Sequence, residues 1–242
     1  MNDENRLIGI SWDNRKLLNN LNIFNRNLGF LLFAEISLAA LIIIGDYFIF
    51  DSPGLITRLN KHVGISQQLL RAGMDNISHM FVGVISWSII SYSKLNTNEI
   101  LAVAFLSSII DIDHFISAKS LKLSNAISLA NRPFLHNSLT LFLANILFFV
   151  LLSVFNSSKK LNWSLILFIA WFSHHIRDAN RRGMWFGSIY TTKPIKDEWY
   201  LTIILIVPLA LRHLYQNDGF ILTSFISKNF NNTQSKTESH IV

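Results

Sequence analysis

Apolar residues along this chain arrive in long uninterrupted blocks separated by short polar stretches. Half-buried strands would instead alternate every two residues, and soluble amphipathic helices every three or four. At 1.5 Å of rise per residue, a block of about 20 residues crosses the hydrocarbon layer of a bilayer. The blocks predict helices over about 28–50, 75–92, 99–118, 133–155, 161–178 and 199–215. Asp51-Ser52-Pro53-Gly54 is a turn signal that stops the first. Pro133 suits the first turn of the fourth, and Pro208 is expected to kink the sixth. The expected fold is therefore all-α, an integral membrane helical bundle of five or six transmembrane helices. It occupies residues 28–216 as one domain, between a polar N-terminal tail, 1–27, and a polar, flexible C-terminal tail, 217–242.

Composition agrees. Half of the residues are apolar and only 15% are charged, and the mean hydropathy is +0.35, against roughly 25% charged for ordinary soluble domains. There is no cysteine, which removes disulfides, thiolate ligands and a cysteine nucleophile together. The net charge of +6 is scattered through short loops. That pattern points to lipid headgroups as partners and away from nucleic acid. No secretory signal is visible, so the first span is expected to serve as the targeting signal, and the protein to be multi-pass. Lysine and arginine divide almost evenly between the two faces, which leaves orientation open.

The chemistry-bearing residues sit at span ends. Asp75 and His79 open the second span, and Asp111, Asp113 and His114 close the third. Arg132 and His136 open the fourth, and His174, His175, Arg177 and Asp178 close the fifth. Starts of even spans and ends of odd spans share one membrane face. All these groups therefore belong to one side, whichever way the bundle is oriented. The other side receives almost no histidine from spans two to five.

Helical spacing sharpens this. Asp75 and His79 are i, i+4; Asp111 and His114 are i, i+3; His174 and Asp178 are i, i+4. Such pairs share a helix face, and His–carboxylate pairs on neighbouring helices are how bundles build metal sites. Asp113 points elsewhere unless the helix has already unwound. The expected ligand pool is His79, Asp111, His114, His136, His174 and Asp178. Imidazole and carboxylate without thiolate suit Zn²⁺, Mn²⁺ or Fe²⁺. Asp75 or Asp113 would be the general base, and Arg132 and Arg177 would hold a phosphate or carboxylate. The plain alternative for any single pair is structural: a charged residue in the last turn of a span reaches the headgroups at little cost. Asp178 with Arg182 reads as a helix-surface ion pair, and Arg177, Arg181 and Arg182 as lipid-phosphate contacts.

Four blocks carry a resemblance. Asp75-Asn76-x-x-His79-x-x-x-Gly83, Asp111-Ile112-Asp113-His114-Phe115, Asn131-Arg132-Pro133-Phe134-Leu135-His136 and Trp171-x-Ser173-His174-His175-Ile176-Arg177-Asp178 resemble the eukaryotic transmembrane protein 267 family, from about Leu38 to Pro208. That resemblance implies a multi-pass membrane protein and no established activity. More distantly, Asp-Ile-Asp-His followed by Arg132, His136 and Ser138 is similar to bacterial membrane-bound proteins classed by motif as metal-dependent hydrolases. This chain has Asn131 where they carry a first histidine, one ligand fewer. The functional expectation is a metal-dependent hydrolase of a lipid-like or phosphate-bearing substrate at one membrane face. The alternative is a non-enzymatic transport, scaffold or assembly protein whose polar cluster is structural or an ion pathway.

Overall fold

A computed structural model describes residues 28–45, 66–155, 159–213 and 215. Among them the chain is all helical, with two isolated β-bridges and no strand. The helices are α1 (Leu28–Gly45), α2 (Gln67–Ser91), α3 (Thr97–Ile109), α4 (Ile112–Ala118), α5 (Leu123–Ile127), α6 (Ser138–Val154), α7 (Lys160–Arg182) and α8 (197–213). The two polar tails, Asp46 and most of the first loop lie outside the described residues.

Several elements begin or break where hydropathy alone did not place them. Helix α2 starts at Gln67, eight residues before the expected Asp75. Ser66 caps it, its hydroxyl accepting from Leu69 N–H at 3.2 Å. The first two turns are too polar to read as a membrane span, yet they are helical. As a result Asp75 sits two turns inside the helix. The third block breaks at Ile110–Asp111 into α3 and α4. There Asp113 N–H reaches Ile110 O and His114 N–H reaches Asp111 O, both at 3.2 Å and both across three residues. This tightened turn rotates Asp113 relative to a continuous helix. Pro133 does not open the fourth helix. A single 3-10 turn, Phe134–His136, comes first, and Asn137 caps α6, its side chain accepting from Leu139 N–H at 3.0 Å.

Helix α7 is the centre of the bundle and packs against α2, α3 and α6. One core cluster joins Leu38 and Ile42 of α1, Val82 and Ile89 of α2, Ile176 of α7 and Ile204 of α8. A second joins Trp87 and Ile90 of α2, Val103 of α3 and Ile166, Ile169 and Ala170 of α7. Helices α2 and α3 approach closely at Gly83. A Cβ built there would stand 2.1 Å from Ser107 Oγ, so only glycine lets the backbones meet, as small residues do in membrane bundles.

The outer faces stay apolar. Phe33 and Ile36 on α1, Leu101 and Phe105 on α3, and Leu143, Ile146 and Val154 on α6 are exposed. Two helical stretches, Leu28–Gly45 and Thr97–Ala118, are long and apolar enough to cross a bilayer by themselves, and the apolar α6 is shorter, at 17 residues. The five or six expected crossings go beyond those two. Helices α2 and α7 fall below the same measure because they carry polar side chains inward: Asp75, Asn76 and His79 on one, His174 to Asp178 on the other.

Candidate metal centre

Polar groups from four segments of the chain meet at one place. Helix α2 supplies Asp75, Asn76 and His79. The α3–α4 junction supplies Asp111 and Asp113, and the 3-10 turn supplies His136. The last turns of α7 supply His174, Asp178 and Arg181. His79, His136, His174 and Asp113 are buried, while the Asp111 and Asp178 side chains keep 32% and 21% of their surface. Access therefore comes past the carboxylates.

Four ligand-type atoms face one another. His136 Nε2 lies 3.3 Å from His174 Nε2, 3.4 Å from Asp111 Oδ1 and 3.4 Å from Asp178 Oδ2. His174 Nε2 lies 3.5 Å from Asp111 Oδ1 and 3.9 Å from Asp178 Oδ2. Four donors held tetrahedrally at the usual 2.0–2.2 Å from a zinc ion stand about 3.3–3.6 Å apart. Asp111, His136 and His174 meet that spacing, with their three separations at 3.3–3.5 Å, while Asp178 stands 3.4 Å from one histidine and 3.9 Å from the other; the donor set fits a divalent cation.

The second layer fits as well. A ligating histidine normally gives its other N–H to a carbonyl or carboxylate, which fixes the tautomer. Here His174 Nδ1–H donates to the Ser107 carbonyl at 3.0 Å. His136 Nδ1 lies 3.2 and 3.3 Å from the two oxygens of Asp113. Both rings are thereby left with Nε2 as the lone-pair nitrogen. Asp113 in turn accepts from Leu135 N–H at 2.7 Å. Asn76 donates to Asp111 Oδ2 at 3.1 Å and to the Ser108 carbonyl at 2.8 Å, so Oδ1 of Asp111 is the oxygen left facing inward.

The other expected site residues take different places. His79 stacks on His174, ring centroids 3.7 Å apart, with Nε2 at 3.6 Å from Asp178 Oδ1. His114 meets His136 edge-on, and its Nδ1 donates to the Ala126 carbonyl at 3.1 Å. His175 is bonded at both nitrogens, to the Leu135 carbonyl at 2.8 Å and to Ser138 Oγ at 3.4 Å. Asp75 is held by Arg177 and Arg181. Arg177 is buried against Asp75 and turns no face to solvent. Arg132 donates to the carbonyls of Gly183 and Arg182, tying the turn before α6 to the end of α7. Asp178 pairs with Arg181 at 2.6 Å, one residue before the expected Arg182. An i, i+3 pairing serves because the i+4 side chain, Arg182, turns outward to a pocket.

That pocket opens beside the cluster. His136, His175 and Asp178 lie along it, with Arg132, Arg182, Met184 and Trp185 around it. Burial and the neighbouring Arg182 both press the Arg132 guanidinium below its usual pKa. Burial also opposes the charge on Arg181, but Asp75 and Asp178 outweigh it and hold that guanidinium charged. The segment after α7 is pinned at the mouth. Ser138 N–H donates to the Trp185 carbonyl at 2.7 Å, and Thr192 N–H to the Met184 carbonyl at 2.9 Å. Gly183, at φ +75°, makes the turn: a Cβ there would strike the Thr192 carbonyl at 2.0 Å.

Sequence reasoning missed Asn76 as a clamp on Asp111, the Ser107 carbonyl, and the backbone of Leu135, which serves Asp113 and His175 at once. Asn76 had a signal, since it lies between Asp75 and His79 in the first block. Backbone donors and acceptors have none.

Fold and cluster together define the class: an all-helical membrane protein with a buried His/Asp centre. Residues 74–228 match the family model described as YdjM inner membrane protein, and the chain belongs to that family. It is also similar to Transmembrane protein 267 of Mus musculus, 37% identical over 144 residues that cover 57% of this chain and 66% of the relative. The same protein of Danio rerio is 35% identical over 182 residues, 73% of this chain and 77% of the relative. That of Bos taurus is 38% identical over 144 residues, 57% and 66%. The chain thus spans about two thirds of the length of the mouse and cattle relatives. No solved structure matches it.

Proposed function

We propose that this chain is a multi-pass membrane protein, crossing the bilayer five or six times, whose cluster holds a divalent cation for hydrolysis of a phosphate- or carboxylate-bearing, lipid-like substrate. The observation that carries this reading is the convergence of Asp111, His136 and His174 at metal-ligand spacing with Asp178 beside them, both histidines being oriented by outer partners. His136, His174, Asp111 and Asp178 are the ligands. Zn²⁺, Mn²⁺ and Fe²⁺ are all compatible with these donors. Bound there, the cation would polarise a substrate oxygen and make water nucleophilic near neutral pH.

The chain's own residues divide the remaining work. Asp113 orients His136, and Asp75 anchors Arg177 and Arg181; both carboxylates are engaged in those contacts, which leaves the general-base task to another group. His114 lies on the pocket with Nδ1 committed to the Ala126 carbonyl, so its Nε2 can hold a proton there. Arg132 and Arg182, two guanidiniums at the pocket, would hold the anionic group. Trp185 and Met184 offer apolar surface for a lipid-like portion.

The test uses the full chain purified in detergent without chelator. Bound metal is measured by mass spectrometry, and release from p-nitrophenyl phosphate and p-nitrophenyl ester probes is followed with and without added Zn²⁺ or Mn²⁺. Metal-dependent release that is lost in Asp111→Ala and His174→Ala supports the reading. A folded protein that takes up no metal at saturating Zn²⁺ and Mn²⁺ overturns it. A protein that binds metal but releases neither probe overturns the hydrolase and leaves the metal centre, as a structural or transport element.

A further inference from the structure

Beside the four-donor nest lies a second one. His79 Nε2 stands 3.6 Å from Asp178 Oδ1 and 3.9 Å from Asp75 Oδ1. By residue type and spacing this is also a cation nest, and Asp178 would bridge the two, Oδ2 toward one and Oδ1 toward the other.

We propose that the second nest takes no metal: the centre holds a single divalent cation, and the Arg177 guanidinium stands where a second one would sit. The inference rests on the metal-centre reading above. Three observations carry it.

The first is occupancy. Arg177 Nη1 contacts Asp75 Oδ1 and lies 3.5 Å from His79 Nε2. Arg181 Nη2 lies 2.6 Å from Asp178 Oδ1, and its Nη1 lies 3.1 Å from Asp75 Oδ2. Every carboxylate oxygen turned to the second nest already meets a guanidinium. An ion placed at bonding distance from His79 Nε2 would also meet that positive charge at close range.

The second is the outer partner of each ring. His136 and His174 give their Nδ1–H to Asp113 and to the Ser107 carbonyl, as metal ligands do. Among the described residues, His79 Nδ1 is buried with no partner. If Nε2 bound a metal, the proton would have to sit on Nδ1, leaving a buried donor unsatisfied. A proton on Nε2 would face Asp178 Oδ1 at 3.6 Å, a lone pair there would face Arg177 Nη1 at 3.5 Å, and in either tautomer Nε2 is turned to groups of this chain. His79 is therefore a positioning residue. It orients the bridging-type carboxylate of Asp178 and stacks on the His174 ring.

The third is charge. Among the described residues, four carboxylates, Asp75, Asp111, Asp113 and Asp178, share the cluster with two guanidiniums, Arg177 and Arg181, which pair with Asp75 and Asp178. With neutral imidazoles, one divalent cation balances them. A second would leave the buried centre with uncompensated positive charge, which burial penalises.

The experiment is metal stoichiometry on the full chain in detergent, after equilibration with buffered Zn²⁺ and, separately, Mn²⁺. One equivalent per chain in the wild type is expected. Two equivalents would overturn the inference while leaving the metal-centre reading in place; none at saturating metal would sink both. Arg177→Met uncovers the second nest and is expected to raise the ratio toward two, whereas Arg177→Lys keeps it at one. An Arg177→Met protein that still takes one equivalent refutes the place-holding role. His79→Gln supplies a separate check that does not depend on Arg177 variants folding. It is expected to retain one equivalent with affinity weakened by roughly tenfold, the size of an outer-partner effect. Loss of the ion in His79→Gln, on the scale of His174→Gln, would make His79 a ligand and overturn the assignment.

Discussion

Asp113 offers the sharpest test of how this centre is held. It is fully buried, does not line the pocket beside the cluster, and meets His136 Nδ1 at 3.2 and 3.3 Å while accepting from Leu135 N–H at 2.7 Å. Changing Asp113→Asn keeps the volume but removes the negative charge. The amide oxygen can still accept from Leu135 and His136, as Oδ2 does now, but the new NH₂ takes the place of Oδ1, 3.2 Å from His136 Nδ1, where it sets donor against donor. His136 loses the carboxylate that fixes its tautomer and raises its basicity. Outer partners of ligating histidines are worth about 10–100-fold in metal affinity, or about 1.4–2.8 kcal/mol. A competition titration of Zn²⁺ against a chromophoric chelator measures this directly. The expected Kd rises by that factor, with stoichiometry kept at one. An Asp113→Asn protein that is folded by circular dichroism and binds Zn²⁺ with unchanged Kd would refute the idea that Asp113 acts through His136.

Other outcomes follow from the same geometry. Gly83→Ala forces a methyl group against Ser107 Oγ, and is expected to cost about 1–3 kcal/mol as overpacking, read as a lower Tm in detergent; the double change with Ser107→Ala should recover part of it. His175→Phe keeps the ring but strands the Leu135 carbonyl and Ser138 hydroxyl, and should cost about 1–3 kcal/mol in stability with little change in metal stoichiometry. Metal occupancy should fall as pH is lowered, because protons compete for the imidazoles of His136 and His174; occupancy that does not change with pH in a metal-limited titration would argue against histidine ligation.

Much of the site was legible because two periodicities coincided. Span counting put every polar block on one face, and i, i+3 or i, i+4 spacing put His174 with Asp178 and Asp75 with His79. Both are properties of helices, and α2 and α7 are helices across those residues. What spacing could not supply was the break at Asp111, which depends on how α3 and α4 pack under the turn before α6. Because of it, Asp111 and Asp113 reach opposite nitrogens of His136, although a continuous helix would point them apart. Nor could spacing separate ligands from neighbours among five histidines. That distinction rests on where each ring's second nitrogen goes, and three of those partners are backbone carbonyls, of Ser107, Ala126 and Leu135. The early start of α2 was hidden because hydropathy reads spans, while capping by Ser66 sets where the helix begins.

The ion pair between Arg177 and Asp75 joins residues 102 positions apart. During synthesis the N-terminal part of the chain is complete long before α7 leaves the ribosome. Asp75 must then wait at the membrane without Arg177 and Arg181, its partners in the folded chain, which come late. An unanswered acid is costly near hydrocarbon, so α2 is expected to stay near the headgroups or the insertion machinery until α7 arrives. Helix α7 would then act as the latch of insertion as well as the centre of the bundle. A chain truncated before Arg177 should leave Asp75 reachable by water-soluble reagents through an engineered cysteine, and the full chain should close it off.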